Sequence, residues 1–219
     1  MEDFVDAFLN FDILRQAWRI LLIGLWNTVL LSLLAVPAGL GLALLSRGRR
    51  AVRVPAALFV DLFRSLPPLV LLILIYAGLP FAGIDLGAWG SVAVCFLLNS
   101  GAYYCEVLRA GIEAVPPGQA DAARALGLRP GQAMRLVVLP QAVRKVAPDL
   151  VSNTLEVVKL TSIASVVALP ELLYQARQAQ SVTYNMTPIL GAALGYFLLL
   201  WPLVRLLSRL DEAKLAGRV

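Results

Sequence analysis

The chain has 219 residues, of which 59% are hydrophobic, and its mean hydropathy is +0.78. A soluble domain is about 45–50% apolar; in this chain the charges cluster outside long apolar runs, which excludes a soluble globule and indicates a polytopic membrane protein. The net charge of +5 comes from basic residues in loops beside those runs, a pattern of membrane orientation rather than of nucleic-acid binding.

Residues 1–12 carry Glu2, Asp3, Asp6 and Asp12. A cleavable signal needs basic residues there, so none is expected. A partly polar helix over 5–19 follows, and residues 1–19 are expected to form an interfacial helix. Five apolar spans are then predicted, over 20–45, 54–79, 88–110, 148–169 and 188–210. A crossing helix needs about 20 residues, and together the spans make residues 1–219 a single transmembrane domain. Pro67-Pro68 falls inside the second span. A kink there is the favoured reading over an interruption, which would turn carbonyls toward a passage. The Gly39/Gly41 and Gly191/Gly195 spacings predict close helix contacts. Cys95 and Cys105 lie in one span. Ten residues of helix separate them by about 15 Å, too far to bridge.

The basic residues alternate from loop to loop. The first loop holds Arg47, Arg49, Arg50 and Arg53 and no acid. The second, 80–87, holds Asp85 and no base. The third holds Arg124, Arg129, Arg135, Arg144 and Lys145. The fourth, 170–187, has Arg177 against Glu171. The tail has Arg205, Arg209, Lys214 and Arg218. Loops one and three and the tail are therefore expected in the cytoplasm, and the N-terminus outside.

The third loop, 113–140, is the most informative segment. Pro116-Pro117-Gly118 and Gly127 bracket about nine helical residues, too few to cross a bilayer. Gly127 suits the left-handed turn that ends a helix. Ala122 and Ala123, with Leu126 a turn on, form a small-residue face that another surface can approach closely. Gln119, Asp121 and Arg124 are polar residues able to bond across such a contact. Arg129-Pro130-Gly131 begins a second short helix that can brace the first.

Charges within the spans need partners, since a lone charge at mid-bilayer costs about 2.5–3.5 kcal/mol or more. Asp61 and Arg64 are one turn apart, as are Glu106 and Arg109. Arg64 with Glu106 is a possible pair between helices; structural pairing is the favoured reading over substrate contact. Lys159 falls near mid-bilayer. It either meets a substrate carboxylate or is clamped by Glu156. Thr161 and Ser162 add hydroxyls that line a path or bond back to their own helix.

The chain lacks GxxxxGK[ST], so ATP and Mg would sit on another chain. It has no histidine and no metal-ligand cluster, which argues against a metal site and against a membrane enzyme.

Asp121-Ala122-Ala123, three residues, Gly127, nine residues, then Val137-x-Leu139-Pro140 resembles the EAA loop of ABC importer permeases, with Asp121 in place of Glu and Val137 in place of Ile. The flanks look like those of polar amino acid permeases: Ala102–Ile112, Val115–Gln119, Pro140-Gln141-Ala142, Phe63–Pro67, Thr28–Ser32 and Lys159–Ile163. The resemblance implies an all-α, type I ABC importer permease fold of about five transmembrane helices, N-terminus periplasmic, C-terminus cytoplasmic, with short coupling helices. It implies a multi-pass protein of the bacterial inner membrane that moves a polar amino acid by alternating access. The implied partners are an ABC ATPase dimer, a second permease subunit, alike or different, and a periplasmic binding protein. Gln119, Asp121, Ala122, Ala123, Arg124, Leu126, Gly127 and Pro140 would couple to the ATPase. Arg64, Pro67, Glu106, Glu156, Lys159, Leu160, Thr161 and Ser162 are candidates for the substrate path. Leu160 departs from the pattern, which has an acid after the lysine. An alternative is an ion-coupled secondary transporter or channel, against which stands the lack of a repeated set of spans and of a carboxylate cluster.

Overall fold

The computed structural model describes residues 6–34 and 50–215, with side chains described for 6–34 and 54–212. Residues 1–5, the end of the first predicted span, Gly39/Gly41, Arg47, Arg49 and Arg218 lie outside the described residues, as do the side chains of Arg50, Arg53 and Lys214. Every regular element described is helical. These are α1 (Phe11–Leu34), α2 (Arg50–Ser65), α3 (Pro68–Ile73), α4 (Gly87–Glu113), α5 (Pro117–Ala125), α6 (Pro130–Ala133), α7 (Leu139–Lys145), α8 (Ala147–Leu160), α9 (Leu172–Thr183) and α10 (Thr187–Leu215).

Among the described residues, four helical stretches are long and apolar enough to cross a membrane: Asp6–Leu34, Gly87–Glu113, Ala147–Val167 and Thr187–Glu212. The bent pair Val54–Ser65 and Pro68–Ala82 makes a fifth if counted as one span. This matches the five predicted spans, with two differences. α1 runs unbroken from Phe11, so residue 19 is not a helix boundary. The second span is broken, not kinked: α2 stops at Ser65, Pro67 is extended (φ −59°, ψ 128°), and α3 starts at Pro68. Two successive residues without an N–H cannot continue the helical ladder.

The chain forms two compact units. The first contains α1, Leu66–Phe96 and Leu155–Leu203. Asn10 caps α1, its Oδ1 accepting from Asp12 and Ile13 N–H at 3.1 Å. α1 buries Ala17, Leu21, Gly24, Thr28 and Leu31, a stripe at steps of three and four. Ala17 and Leu21 pack with Leu172, Ala176 and Ala179 of α9 and Ala192 of α10. In lipid no hydrophobic drive brings helices together, so close approach of small residues does much of the holding. Gly24 is the tightest point: a Cβ there would lie 2.8 Å from Leu172 Cα. At Gly195 it would meet Leu172 Cδ2 at 3.0 Å, so the Gly191/Gly195 pattern does mark a close contact.

The second unit contains α2, Leu97–Thr154 and the chain from Val204. Val60 of α2 is buried with Ala102, Cys105 and Leu108 of α4 and with Val146. A second cluster, Ile112, Val115, Val138 and Ala142, lies at the base of the third loop. Cys95 and Cys105 are both buried and unbridged.

Candidate functional site

The third loop is built from local rules. Pro117 opens α5 at a position where the missing N–H costs nothing. α5 ends in a Schellman turn: Leu128 N–H donates to Ala123 O at 3.2 Å and Gly127 N–H to Arg124 O at 2.9 Å. Gly127 takes φ +86°, as expected of it. Arg129 N–H donates to Gln132 Oε1 at 2.9 Å, which caps α6. A π turn over Met134–Val138 then leads to Leu139-Pro140 and α7. The other π turn, Leu74–Gly78, also stands before a Leu-Pro pair, Leu79-Pro80. A proline breaks the regular ladder one turn upstream, and a wider turn accommodates the break. Lys145 Nζ donates to Ala114 O at 2.6 Å, joining the two ends of the loop.

The loop presents one face outward and one inward. Leu126 is 85% exposed, and Ala122, Gln119, Asp121, Arg124 and Pro140 are exposed beside it. Ala123, at 4%, is buried in the chain itself. That differs from the sequence expectation that both alanines face outward. Successive helix positions are about 100° apart, so two neighbours cannot share a narrow face. Asp121 and Arg124 form an ion pair, and Gln141 Nε2 donates to Gln119 Oε1 at 3.3 Å.

Arg64 pairs with Glu106 across helices at 3.8 Å. Asp61, its expected intrahelical partner, forms no ion pair among the described residues. Arg109 forks onto Glu106, with Nε 3.0 Å from Oε2, and reaches Glu113 Oε1 at 2.8 Å through Nη1. The Arg64 guanidinium also lies 5.3 Å over the Tyr103 ring, while its Nε is buried without a partner. Lys159 reaches Glu156 at 2.8 Å, the clamp rather than a free cation, although both side chains remain more than half exposed. Thr161 and Ser162 bond back to Val158 O and Lys159 O at 2.7 and 2.8 Å. Leu160 is half-buried and brings no polar group to this turn.

Pro67 acts through what it removes. In a regular helix Phe63 O would accept from the amide of residue 67, and Arg64 O from that of residue 68. Both are prolines. Asn99 Nδ2 donates instead to Phe63 O at 2.7 Å, and the Tyr103 hydroxyl to Arg64 O at 3.3 Å. Asn99 and Tyr103 are one turn apart on α4, so one face of that helix serves both orphan carbonyls. Sequence reasoning missed them. The available signal was an asparagine inside an apolar span, a position where polar groups need a job.

Glu171 was also missed. It is fully buried. Its carboxylate caps α9, accepting from Leu173 N–H at 2.8 Å and Tyr174 N–H at 2.7 Å, and from the Tyr196 hydroxyl at 2.9 Å. Burial pushes this carboxyl up from its ordinary value, against those three hydrogen bonds. The neighbouring backbone is tied to α1. Asn27 Nδ2 donates to Pro170 O at 2.8 Å, and Leu172 N–H donates to Thr28 Oγ1 at 3.2 Å.

Residues 35–214 match the model of the binding-protein-dependent transport system inner membrane component family. The chain belongs to that family. It is therefore a multi-pass membrane protein with the type I ABC importer permease fold. It is 37% identical over 159 residues to a protein of Bacillus subtilis named as an amino-acid ABC transporter permease, YckA, covering 70% of each chain. It is 35% identical over 197 residues to a protein of Rickettsia bellii named as a glutamine transport system permease, GlnP, covering 89% of this chain and 90% of that one. Its fold matches the crystal structure of an amino acid ABC transporter with histidines, with a TM-score of 0.81, 34% identity, and coverage of 93% and 98%. As a family member, the chain carries its long apolar helices for transport, and its third loop is where the permease offers a short exposed helix.

Proposed function

We propose that the chain is the membrane-spanning subunit of an ATP-driven importer that moves a polar amino acid into the bacterial cytoplasm. The observation that carries this reading is the third loop. α5 is short, fixed at both ends, and exposes Ala122, with Leu126 exposed beside it at the C-cap. An apolar side chain so exposed on a rigid helix suits a groove in another protein. Two permease subunits enclose the path, an ATPase dimer docks on their α5 helices, and a periplasmic protein delivers the substrate. ATP-driven closure of the ATPase pair moves α5, and the spans alternate between outward-open and inward-open. ATP and Mg sit on the ATPase; this chain binds, orients and releases. The names of its relatives support an amino acid as cargo, glutamine among the first to try.

Leu160 leaves the turn after Lys159 without an acid, so the substrate's ammonium must find its acceptor elsewhere. The test is reconstitution of the complex in proteoliposomes with a panel of amino acids. ATP hydrolysis stimulated by the loaded binding protein, and uptake that requires ATP, are expected. Uptake by the chain alone on an ion gradient would sink the reading.

A further inference from the structure

We propose that the cleft between the turn at Ser165 and the polar face of α9 binds the carboxylate of a free amino acid. The cleft has a volume of about 310 Å³ and is lined by Ser165, Tyr174, Arg177, Gln178 and Ser181. Four of the five come from α9 at steps of three, one and three, so they form one helical face. The opposite face, Leu172, Ala176 and Ala179, is buried against α1 and α10. The helix is held at its start by Glu171, so its polar face is presented rigidly.

The hydrogen bonds inside the cleft decide which chemistry it takes. Gln178 Nε2 donates to the Tyr174 hydroxyl at 2.9 Å. That oxygen is thereby used as an acceptor, and its own proton is free to donate. Arg177 is exposed and forms no ion pair among the described residues. No acid lines the cleft. A guanidinium and a free O–H on one face are donors with no acidic side chain beside them, the complement of a carboxylate. The two serines are spent the other way. Ser165 donates to Ser162 O at 2.7 Å and Ser181 to Gln178 O at 2.8 Å. Their lone pairs remain, and they suit the ammonium that stands beside the carboxylate in an amino acid. The cleft reads the head group common to amino acids and leaves the side chain unread. This places it as an entry site. That placement rests on the importer reading and on the loop charges that put 170–187 outside; the carboxylate chemistry does not.

The full chain, purified with its partner subunits in lipid nanodiscs, supplies the test. The probes are propionate, glycine and ethylamine, read by saturation-transfer NMR. Propionate and glycine are expected to bind and ethylamine not. Arg177→Ala should weaken both by about tenfold or more, the worth of a charge-assisted hydrogen bond, and Arg177→Lys should retain part. Both variants change an exposed side chain, and an unaltered melting temperature verifies the fold. Undiminished binding in Arg177→Ala, or binding of ethylamine alone, overturns the proposal. So does a wild type that binds neither acid while Arg177→Glu abolishes binding-protein-stimulated ATP hydrolysis, since the carboxylate then belongs to a protein. Uptake measured in proteoliposomes judges the importer reading separately. Uptake without Arg177-dependent binding overturns the cleft alone; Arg177-dependent propionate binding without uptake of any amino acid overturns the importer and upholds the carboxylate site.

Discussion

Asn99 donates to the carbonyl of Phe63 at 2.7 Å, the carbonyl that Pro67 leaves without a helical donor. Asn99 is 2% exposed, so its side-chain amide is held inside the protein where it can serve that oxygen. Asn99→Leu should therefore destabilise by about 1–3 kcal/mol, the cost of an unpaired buried acceptor. Pro67→Ala restores an amide at residue 67 that can reach Phe63 O. The double variant should then lose less than the two singles predict. Thermal unfolding of the four proteins in detergent measures the coupling, and strict additivity would show that the bond serves no such purpose.

The contrast between Ala123 in α5 and Leu126 at its C-cap separates two ways of failing. Leu126→Ser removes an exposed side chain and should change stability by less than about 0.5 kcal/mol. Stimulated ATP hydrolysis should nevertheless fall sharply. Ala123→Leu forces bulk into a buried position and should cost about 1–3 kcal/mol, visible as a lower melting temperature before any assay of function. Equal melting temperatures for the two variants would contradict the inward placement of Ala123.

The charged cluster on α4 predicts unequal partners. Glu113 is 57% exposed, and removing it should cost less than about 0.5 kcal/mol. Glu106 is shared by Arg64 and Arg109 and is less exposed, at 27%. Glu106→Ala leaves Arg64 without an ion-pair partner and should cost about 1–3 kcal/mol. Unfolding of the two variants side by side decides the order.

Glu171 confers a dependence on pH with a definite sign. Its carboxyl is raised above the ordinary 4.5 by burial. A raised carboxylate favours the folded protein in its protonated form. Its contribution is full below the ordinary value and is lost as pH rises through the raised one. Glu171→Gln stays neutral throughout. The melting temperature of the variant minus that of the wild type should therefore increase as pH rises from about 4, then level off. A difference that is flat or decreases with pH would show that the buried carboxyl is not raised.

The third loop was readable because its punctuation is local. Two prolines start α5, Gly127 ends it, and neither depends on a distant residue. The five spans were readable because a bilayer demands long apolar helices whatever they pack against. Glu171 was not readable. An acid in a polar connection looks solvated until Gly24 lets α1 approach the backbone of Leu172. The broken second span lay between the two cases. Pro67-Pro68 allowed a kink or a break, and the choice belongs to Asn99 and Tyr103, which make a break affordable. Ala123 was misplaced because a run of small residues hides which of them points inward. Lys159 was left between clamp and ligand, and its bond to Glu156 comes from spacing already visible in the chain.

The connection at residues 170–172 has a mechanical consequence. Pro170 is held by Asn27, Leu172 by Thr28, and Glu171 by Tyr196 and by the start of α9. Three consecutive residues thus fasten α1, α9 and the first part of α10 to one another at points too tight to admit a methyl group at Gly24. Such a joint transmits displacement and does not absorb it. If this unit shifts, these three helices are expected to travel together at this joint.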